Sequence, residues 1–454
     1  MKRIALIGLA LAALAACSPQ ATQRPNILFI TIDTLRADYL TPYGYEDPSV
    51  SPTVEDLAEH GVVFEHVSST AGTTIPSHSS MFTGLYARVH GARSNFHGLY
   101  DGVRTVTQAL HDVGYQTGGF VSNQFLFTIA RLDRGFDVVN APFLDSEGGK
   151  PQSGSKTIAE AMKWVDGVKK SRPSFMWLHL WEAHGPHDLT DWAAQRMGDY
   201  DGPLKDGVTL EQIRQPLKFV TNNSANIQAL RTLYAGEVNL ADHYLGQLLD
   251  HLGKIGWLDN AVVIFTADHG QTLGENRHLG HGPTLRETVL RVPLIITDYR
   301  HPAASRTPTR VGTIDIAPTI ADYAGLEEHF DYVGRSLTDP QALADDWPYL
   351  SEVALREETD RNWERVKNNS SYDAAALAAY HGPYKLIYHG GDYHMLKTGC
   401  KRPEGCPIKE SDQPDIAESL HGLIDQYQKI DIDRAEGNVS EEDLRVLQGL
   451  GYTQ

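Results

Sequence analysis

Runs of apolar and β-branched residues recur along this sequence, and four of them predict buried strands. They read "PNILFITID" (25–33), "SFMWLHLW" (174–181), "NAVVIFTADHG" (260–270) and "VPLIITD" (292–298). Near-continuous apolar runs of this length are typical of parallel strands that are covered on both faces. The segment "VVFEHV" predicts a further strand.

Helical patterns alternate with these strands. "SPTVEDLAEHG" predicts a short helix, residues 226–253 predict a long one, and "VTQALHDVGYQTGGFVSN" predicts a helix, a turn and a strand. Alternation of this kind predicts an α/β fold built on a doubly wound, mostly parallel sheet. In such sheets, ligands bind beyond the carboxyl ends of the strands.

The pattern changes near residue 345. "GPYKLIYHGGDYHML" (382–396) alternates between apolar and polar positions, and it predicts an antiparallel hairpin that turns at Gly390 and Gly391. We therefore expect a main domain over 26–344 and a smaller C-terminal α+β subdomain over 345–454 that packs against it.

Three of the four predicted strands end in side chains that can bind a metal ion or carry a proton. These are Asp33 after the first run, Glu182, His184 and His187 after the second, and Asp268 and His269 after the third. Carboxylates and imidazoles suit a divalent ion such as Zn²⁺, Mn²⁺ or Mg²⁺. One such residue alone could equally cap a helix or form a turn. Together, at the ends of separate strands, they predict a metal site.

The stretch "TTIPSHSSMFTG" (73–84) predicts a helix that begins near Pro76 and stops at Gly84. The hydroxyl of Thr74 then faces free backbone N–H groups and the positive end of a helix dipole, which suits an oxygen that attacks an anion. A metal ion beside Thr74 would lower the pKa of this hydroxyl and activate it. On this stretch alone, an ordinary capping loop is an equally good interpretation.

Composition excludes one class of partner. The 454 residues are 41% hydrophobic, which is enough for a large core and more than one domain. The formal net charge of −18 argues against nucleic acid as a partner, because nucleic-acid binders normally present a basic face.

The first 17 residues, "MKRIALIGLALAALAAC", have the pattern of an export signal: a basic start, a short apolar core and small residues before Cys17. The ending Leu-Ala-Ala-Cys resembles the lipobox of bacterial lipoproteins, which implies a lipid anchor on Cys17. We expect a signal peptide over 1–17, a tether over 18–25 and attachment to a membrane of the cell envelope on the periplasmic side. Ser18 favours the outer membrane. The alternative is an ordinary cleaved signal with an incidental cysteine.

Two cysteines remain after Cys17, and both lie in "CKRPEGC". Cys400 and Cys406 close a tight loop, and in an exported protein that arrangement favours a disulfide. A metal site is the alternative, although it would have two thiols and no histidine between them.

Five motifs in order carry a resemblance to a known family: "RPNILFITIDTLRADYL", "TTIPSHSSMFTGLYARVHG", "TADHGQTLGE", "GHGPTLRETVLRVPLII" and "GPYKLIYH". With them the chain resembles the sulfatase branch of the alkaline phosphatase superfamily over nearly its whole mature length. The resemblance implies that 26–344 is the catalytic domain. It also implies one or two bound divalent ions (Zn²⁺, Mn²⁺, Mg²⁺ or Ca²⁺) and a small anionic ester as substrate, and it leaves the oligomeric state open.

One departure from the family pattern changes the expected chemistry. Sulfatases carry a C/S-x-P-x-R motif whose first residue is oxidised to formylglycine, whereas this chain has Thr74 and His78 at the first and last positions. "TIPSH" resembles instead the threonine nucleophile of nucleotide pyrophosphatase/phosphodiesterases. The resemblance therefore implies a phosphodiester or phosphonate ester as substrate. The alternatives are a sulfuric ester hydrolase, an envelope phospho-headgroup transferase and a non-catalytic binding lipoprotein.

Other positions carry over from the family unevenly. Asp33 matches the first metal ligand, but the second aspartate of the sulfatase pair is Thr34 here. Asp268 and His269 match the later ligand pair, and Thr74 would also contact the ion. His184 matches the histidine that protonates the leaving oxygen.

The resemblance also suggests a second metal site and an oxyanion donor. His281 lies near the position of the sulfatase lysine and near the third histidine of two-metal relatives, and Glu182 and His187 could complete a second site with it. Their spacing differs from the Asp-x-x-x-His of the pyrophosphatases. Asn123, at a strand end, could donate to the developing oxyanion, although a strand-end asparagine is more often a turn residue.

Replacing Cys17 by alanine tests the lipid anchor. Two or three acyl chains on this residue would hold the protein stably on a membrane, so the Cys17→Ala variant should lose both fatty-acid labelling and partitioning into detergent. Wild-type protein that is released into the periplasm after cleavage at another residue would contradict the expected anchor.

Overall fold

A computed structural model describes residues 24–140, 152–209, 212, 223–282, 284–326, 332–338, 343, 347–353 and 376–430. The expected signal peptide (1–17) and nearly all of the tether (18–25) lie outside the described residues. No helix in the described part of the chain combines the length and the apolar character needed to cross a membrane.

The described strands form a large sheet, a smaller sheet and a two-stranded ribbon. Their bounds are β1 (Asn26–Ile32), β2 (Val62–Ser68), β3 (Gln116–Val121), β4 (Val138–Asn140), β5 (Ser174–Leu180), β6 (Ala261–Ala267), β7 (Thr272–Leu273), β8 (Leu279–Gly280), β9 (Leu294–Asp298), β10 (Ser305–Gly312), β11 (Tyr349–Val353), β12 (Ala376–His381), β13 (Tyr384–His389), β14 (Asp392–Lys397) and β15 (Cys406–Pro407).

The described α-helices alternate with the strands of the large sheet. Their bounds are α1 (Pro52–Glu59), α2 (Thr74–Thr83), α3 (Ala87–His90), α4 (Val106–Asp112), α5 (Phe125–Thr128), α6 (Gly154–Gly167), α7 (Asp191–Arg196), α8 (Ser224–Lys254), α9 (Glu287–Leu290), α10 (Ile316–Tyr323) and α11 (Pro414–Gln428).

The large sheet has eight strands in the order β10-β2-β9-β6-β1-β5-β3-β4. Its pairs are parallel except where β9 lies antiparallel between β2 and β6. The prediction of a doubly wound, mostly parallel sheet is therefore confirmed. Strand β1 lies near its centre, and Ile27 through Ile30 are completely buried there. Burying each large aliphatic or aromatic side chain contributes about 1.5–3 kcal/mol.

The register of the central strands aligns their carboxyl ends. Ile32, the last residue of β1, pairs with Leu180 of β5 and with Ala267 of β6, which are the last residues of those strands. The backbone N–H of Asp33 continues this ladder and donates to the Leu180 carbonyl at 2.9 Å. The residues that follow the three strands therefore meet at one edge of the sheet.

The C-terminal part forms a separate antiparallel sheet in the order β11-β12-β13-β14-β15, against which α11 packs. The predicted hairpin is confirmed: β13 and β14 join through Gly390 and Gly391, whose φ angles of 59° and 97° suit glycine. Cys400 and Cys406 are disulfide-bonded, as expected. The exact boundary at residue 345 stays a prediction.

A buried ion pair links the two sheets. The Lys385 ammonium of β13 lies 2.7 Å from the carboxylate of Glu287, which begins α9, and the Tyr380 hydroxyl donates to the same carboxylate at 3.0 Å. A buried charge that loses its partner costs several kcal/mol. This contact therefore holds the C-terminal sheet against α9.

The long helix α8 holds α1 through a carboxylate cap. The two oxygens of Asp242 accept hydrogen bonds from the backbone N–H groups of Thr53 and Val54, at 3.0 and 2.9 Å. These donors belong to the first turn of α1, where no partner exists within the helix.

Replacing Asp242 by asparagine tests this cap through the pH dependence of stability. Burial raises the pKa of Asp242 from 3.8 to about 6, against the opposing hydrogen bonds from Thr53 and Val54. Since the folded state then binds the proton more tightly than the unfolded state, the contribution of Asp242 falls as the pH rises between these values. The free energy of unfolding of the wild type, relative to Asp242→Asn, should decrease from about pH 4 to about pH 6 and stay constant above.

Urea unfolding of both proteins at each pH measures this difference. A difference that is flat across the window, or that increases with pH, would show that Asp242 does not titrate with a raised pKa in the folded state.

Candidate active site

Three side chains from two strand ends converge at the carboxyl edge of the sheet. Asp33 follows β1, and Asp268 and His269 follow β6. Each offers a ligand atom that lies within 4.8 Å of the others, and all three residues are buried. Among the described residues this is the one group of three or more histidine, cysteine or carboxylate side chains with that geometry.

Asp268 is anchored through one oxygen and leaves the other free. Its Oδ1 accepts from the backbone N–H groups of Thr34 and His269, at 3.1 and 2.8 Å. Its Oδ2 has no hydrogen-bond partner among the described residues. Thr34 donates from a left-handed conformation, with φ of 57°, which is a strained choice for a β-branched residue.

Within the described part of the chain, no lysine or arginine forms an ion pair with the carboxylates of this cluster. Burial raises the pKa of Asp33 well above its ordinary value, opposed by the Thr74 hydroxyl. Burial and the nearby Asp33 charge raise the pKa of Asp268 to about 6. Among the described residues, neither oxygen of Asp33 has a hydrogen-bond partner of acceptable geometry. Two buried carboxylates with unsatisfied oxygens fit a divalent cation, because an uncompensated buried charge is costly.

His269 is oriented as a metal ligand. Its Nδ1 lies 2.9 Å from the carbonyl oxygen of Gly270, which can only accept, so Nδ1 carries the proton. The lone pair of Nε2 then faces the cluster, and Nε2 lies 3.3 Å from Asp268 Oδ2. Burial lowers the pKa of His269 to about 4, which keeps the ring neutral at neutral pH.

Thr74 is the first residue of α2, beside the cluster. Its hydroxyl oxygen lies 3.4 Å from Nε2 of His269. The helix ends at Gly84 with φ of 65°, as the sequence predicts. The next residue, Ile75, donates its backbone N–H to the side-chain oxygen of Asn95 at 2.9 Å. Sequence reasoning missed Asn95, since no local pattern joins it to the helix.

His78 takes the place of the sulfatase arginine, and it is completely buried. Its Nδ1 donates to the Thr74 carbonyl at 2.9 Å, and its Nε2 accepts from the Thr31 hydroxyl at 3.2 Å. The indole of Trp177 donates to the same hydroxyl at 3.1 Å. Burial lowers the pKa of His78 to about 3, so the ring is neutral and supports the backbone under the nucleophile.

His184 and His281 form a hydrogen-bonded pair next to the cluster. Their Nε2 atoms lie 2.9 Å apart, and the His281 ring stacks on His269 with centroids 4.5 Å apart. Because His184 Nδ1 donates to the Gly185 carbonyl at 2.7 Å, the proton between the two rings belongs to His281 Nε2. Burial lowers the pKa of both rings, so the pair is neutral.

Among the described residues, Glu182, His187 and His281 do not come together as a group that could hold an ion, and the second metal site stays a prediction. The carboxylate of Glu182 accepts from the backbone N–H groups of Gly154 and Trp181, so it caps α6. The His187 ring uses Nδ1 on Glu237 of α8 and faces Gln271 with Nε2 at 3.4 Å. Glu182 and His187 therefore contact other partners in this structure.

Asn123 has a turn role. Its side-chain oxygen accepts from the Phe125 backbone N–H at 3.0 Å, which starts α5. No contact in the described part of the chain joins it to Thr74 or to the histidine pair, and its role as an oxyanion donor stays a prediction.

Sequence reasoning also missed His179. It lies in β5, completely buried, with Nε2 3.5 Å from Asp33 Oδ2. Neither ring nitrogen has a hydrogen-bond partner. Burial lowers its pKa to about 4. An imidazole without a partner beside Asp33 can serve as an additional metal ligand or hold that carboxylate. The available signal was a histidine inside an otherwise apolar strand.

A cavity of about 280 Å³ opens beside the histidine pair, at the small end of the range for ligand sites. Its lining comprises His184, Gly185, His187, Val208, Gln212, Leu230, Gln271, Thr272, Leu273, Leu279, Gly280 and His281. His281 therefore borders both the metal cluster, through its contact with His269, and the cavity.

Comparison with known proteins agrees with this geometry. Residues 25–326 match the family model described as Sulfatase. Arylsulfatase K of Mus musculus is 23% identical over 356 residues, which cover 70% of this chain and 64% of that protein. The multifunctional alkaline phosphatase superfamily protein PehA of Trinickia caryophylli is 25% identical over 395 residues, or 69% of this chain and 76% of that protein.

A solved structure shares the fold. The phosphonate monoester hydrolase of Agrobacterium radiobacter superposes with a TM-score of 0.66 at 20% identity, over 90% of this chain and 95% of that chain. Since the family model covers more than half of the sequence, the chain belongs to the sulfatase family of ester hydrolases, within the alkaline phosphatase superfamily. The chain spans slightly less than two thirds of the mouse relative.

Replacing Asp268 by asparagine tests the metal site. We expect elemental analysis of the wild type to find at least one divalent ion per chain. The variant should lose most of it, because a neutral amide cannot supply the negative charge on Oδ2. Asp242→Asn, which alters a buried carboxyl that caps a helix instead, should keep its metal. Unchanged metal content in Asp268→Asn would contradict the ligand assignment.

Proposed function

We propose that this protein hydrolyses a phosphodiester or phosphonate ester with Thr74 as the nucleophile. The position of Thr74 carries the proposal: its hydroxyl lies at the start of α2, beside Asp33 and 3.4 Å from His269. The positive end of the α2 dipole at that position favours the approach of an anionic ester, although the N–H groups of Ile75 and Ser77 already have acceptors. The relatives that are named phosphonate monoester hydrolase and multifunctional alkaline phosphatase superfamily protein support the same chemistry.

The reaction proceeds in two displacements. The Thr74 oxygen attacks phosphorus, the bond to the ester oxygen breaks, and the hydroxyl proton of Thr74 is lost while the departing alkoxide gains one. Water then attacks the phosphothreonine, which releases the phosphorus acid and restores the Thr74 hydroxyl. The phosphorus group passes first to Thr74 and then to water, with one proton transferred in each step. The ester and water therefore yield an alcohol and a phosphorus acid.

The residues around Thr74 divide the remaining tasks. His78 holds the Thr74 backbone carbonyl, and the neutral His184–His281 pair can accept the proton that Thr74 loses and pass it to the departing alkoxide. A divalent ion on Asp33, Asp268 and His269 would neutralise the nonbridging oxygens of the ester and lower the pKa of the nucleophile.

A sulfuric ester is the second candidate, because the family model favours it. Threonine is poorly suited to that substrate. A sulfated threonine has no second hydroxyl on the same carbon through which sulfate could be expelled. The sulfate group of such an ester carries a single negative charge, so a cation stabilises it less than it stabilises a phosphoryl group. Phosphorus esters are therefore the better match to this nucleophile.

We also propose that the enzyme is exported and anchored to a membrane by a lipid on Cys17. The basic and apolar start of the sequence supports this, and so does the Cys400–Cys406 disulfide, since disulfides persist in oxidising compartments. Its substrate would then be an ester that is present in the cell envelope.

Substitution of Thr74 tests the nucleophile. Thr74→Ala should lower kcat/KM for a phosphodiester or phosphonate ester by about 10³-fold or more, because no oxygen remains to attack phosphorus. Thr74→Ser keeps a hydroxyl and should retain part of the activity. Steady-state kinetics measure both, and mass spectrometry of quenched wild-type reactions should find a phosphoryl adduct on the peptide that contains Thr74.

Metal content and circular dichroism of both variants control for misfolding. Full activity in Thr74→Ala would exclude the proposed nucleophile. A marked wild-type preference for sulfate esters over matched phosphorus esters would assign the protein to sulfuric ester hydrolysis.

A further inference from the structure

The histidine pair connects the reacting atoms with the cavity. His269 lies 3.4 Å from the Thr74 hydroxyl and stacks on His281, which lines the cavity together with His184. This cavity is therefore the candidate space for the group that leaves phosphorus opposite Thr74.

One wall of the cavity is apolar and rigid. Strands β7 and β8 pair antiparallel with Leu273 directly opposite Leu279, so both side chains point to the same face. Leu230 of α8 and Val208 extend this apolar wall. We call these four residues the leucine wall.

The two arginines beside the β7–β8 ribbon, Arg36 and Arg231, are paired with a carboxylate. Arg36 lies 2.9 Å from Glu275, and Arg231 lies 3.1 Å from the same carboxylate, in the turn between β7 and β8. They also donate to the backbone carbonyls of Gln271 and Leu273, at 3.1 and 3.2 Å. Both cations hold the ribbon in place.

The cavity lining contains no lysine or arginine among the described residues. Its polar members are neutral amides, a threonine and histidines. His187, one of them, is bound by Glu237 on α8. A second anionic group on the substrate would therefore lose its hydration without gaining a cationic partner, and that exchange is unfavourable.

We propose that the alcohol released by this enzyme is a compact, apolar group without a second negative charge, such as an aryl or short branched alkyl alcohol, seated on the leucine wall. The proposal rests on the proposed function, because it assigns a leaving group to that reaction. Apolar surface buried on the wall contributes about 25 cal/mol per Å². The small volume of the cavity excludes an oligosaccharide from lying wholly within it.

Two phosphonate esters that differ only in the leaving group test the proposal. One releases phenol and the other releases 3-carboxyphenol, which has a similar hydroxyl acidity but a second negative charge. We expect kcat/KM for the phenyl ester to be higher by at least about 10²-fold, because the unpaired carboxylate is disfavoured in the cavity.

A positive charge placed on the leucine wall should weaken the preference. Leu279→Lys should lower kcat/KM for the phenyl ester and raise it for the carboxyphenyl ester, which shifts the ratio by about tenfold or more. Val208→Lys places the same charge from a loop, in case the first variant folds poorly. Val139→Lys, on the exposed edge strand β4, is the matched control and should leave both values unchanged.

The outcomes separate the two proposals. Equal rates for the two esters, or no shift of the ratio in either wall variant with native melting behaviour, would overturn the assignment of the leaving group and leave ester hydrolysis standing. Absence of hydrolysis for both esters, and for a nitrophenyl phosphodiester, would overturn the proposed function and this inference with it.

Discussion

Two carboxylates buried without a cation are the constraint on which this structure depends. Asp33 and Asp268 lie at the aligned ends of β1 and β6, and three of their four oxygens have no hydrogen-bond partner among the described residues. An interior of low polarity favours the protonated acids unless an ion compensates the two charges. The left-handed conformation of Thr34 and the fixed tautomer of His269 then have a common explanation, since each orients a group towards the same point.

The groups of the proposed reaction surround that point on elements of different kinds. Helix α2 presents Thr74 at its positive end, and the buried His78 supports the carbonyl behind it. His281 stacks on His269, and it lines the cavity together with its hydrogen-bonded partner His184. In the proposed displacement at phosphorus, these groups would serve as nucleophile, proton carrier and border of the leaving-group space.

Several polar residues near the site serve the fold. Glu182 caps α6, the Glu237 carboxylate of α8 holds His187, and Glu275 gathers two arginines under the β7–β8 ribbon. Glu237 is buried, and Glu182 and Glu275 are half-buried. Each carboxylate is chemically able to bind a metal ion, yet it accepts hydrogen bonds from the backbone or from another side chain. These contacts keep the walls of the site rigid, which favours a single geometry for the reaction.

The sequence by itself determined the strands β1, β2, β3, β5, β6 and β9, the long helix α8, the C-terminal hairpin and the end of α2 at Gly84, because each follows from a local period or a capping residue. It also brought Asp33, Asp268 and His269 together, since the carboxyl ends of parallel strands meet at one edge. Only the tertiary structure decided the roles of Glu182, His179 and Asn95. Their partners lie on other elements, 28 residues away for the Glu182 contact with Gly154 and 20 for that of Asn95 with Ile75, and a local pattern contains no information about such pairs.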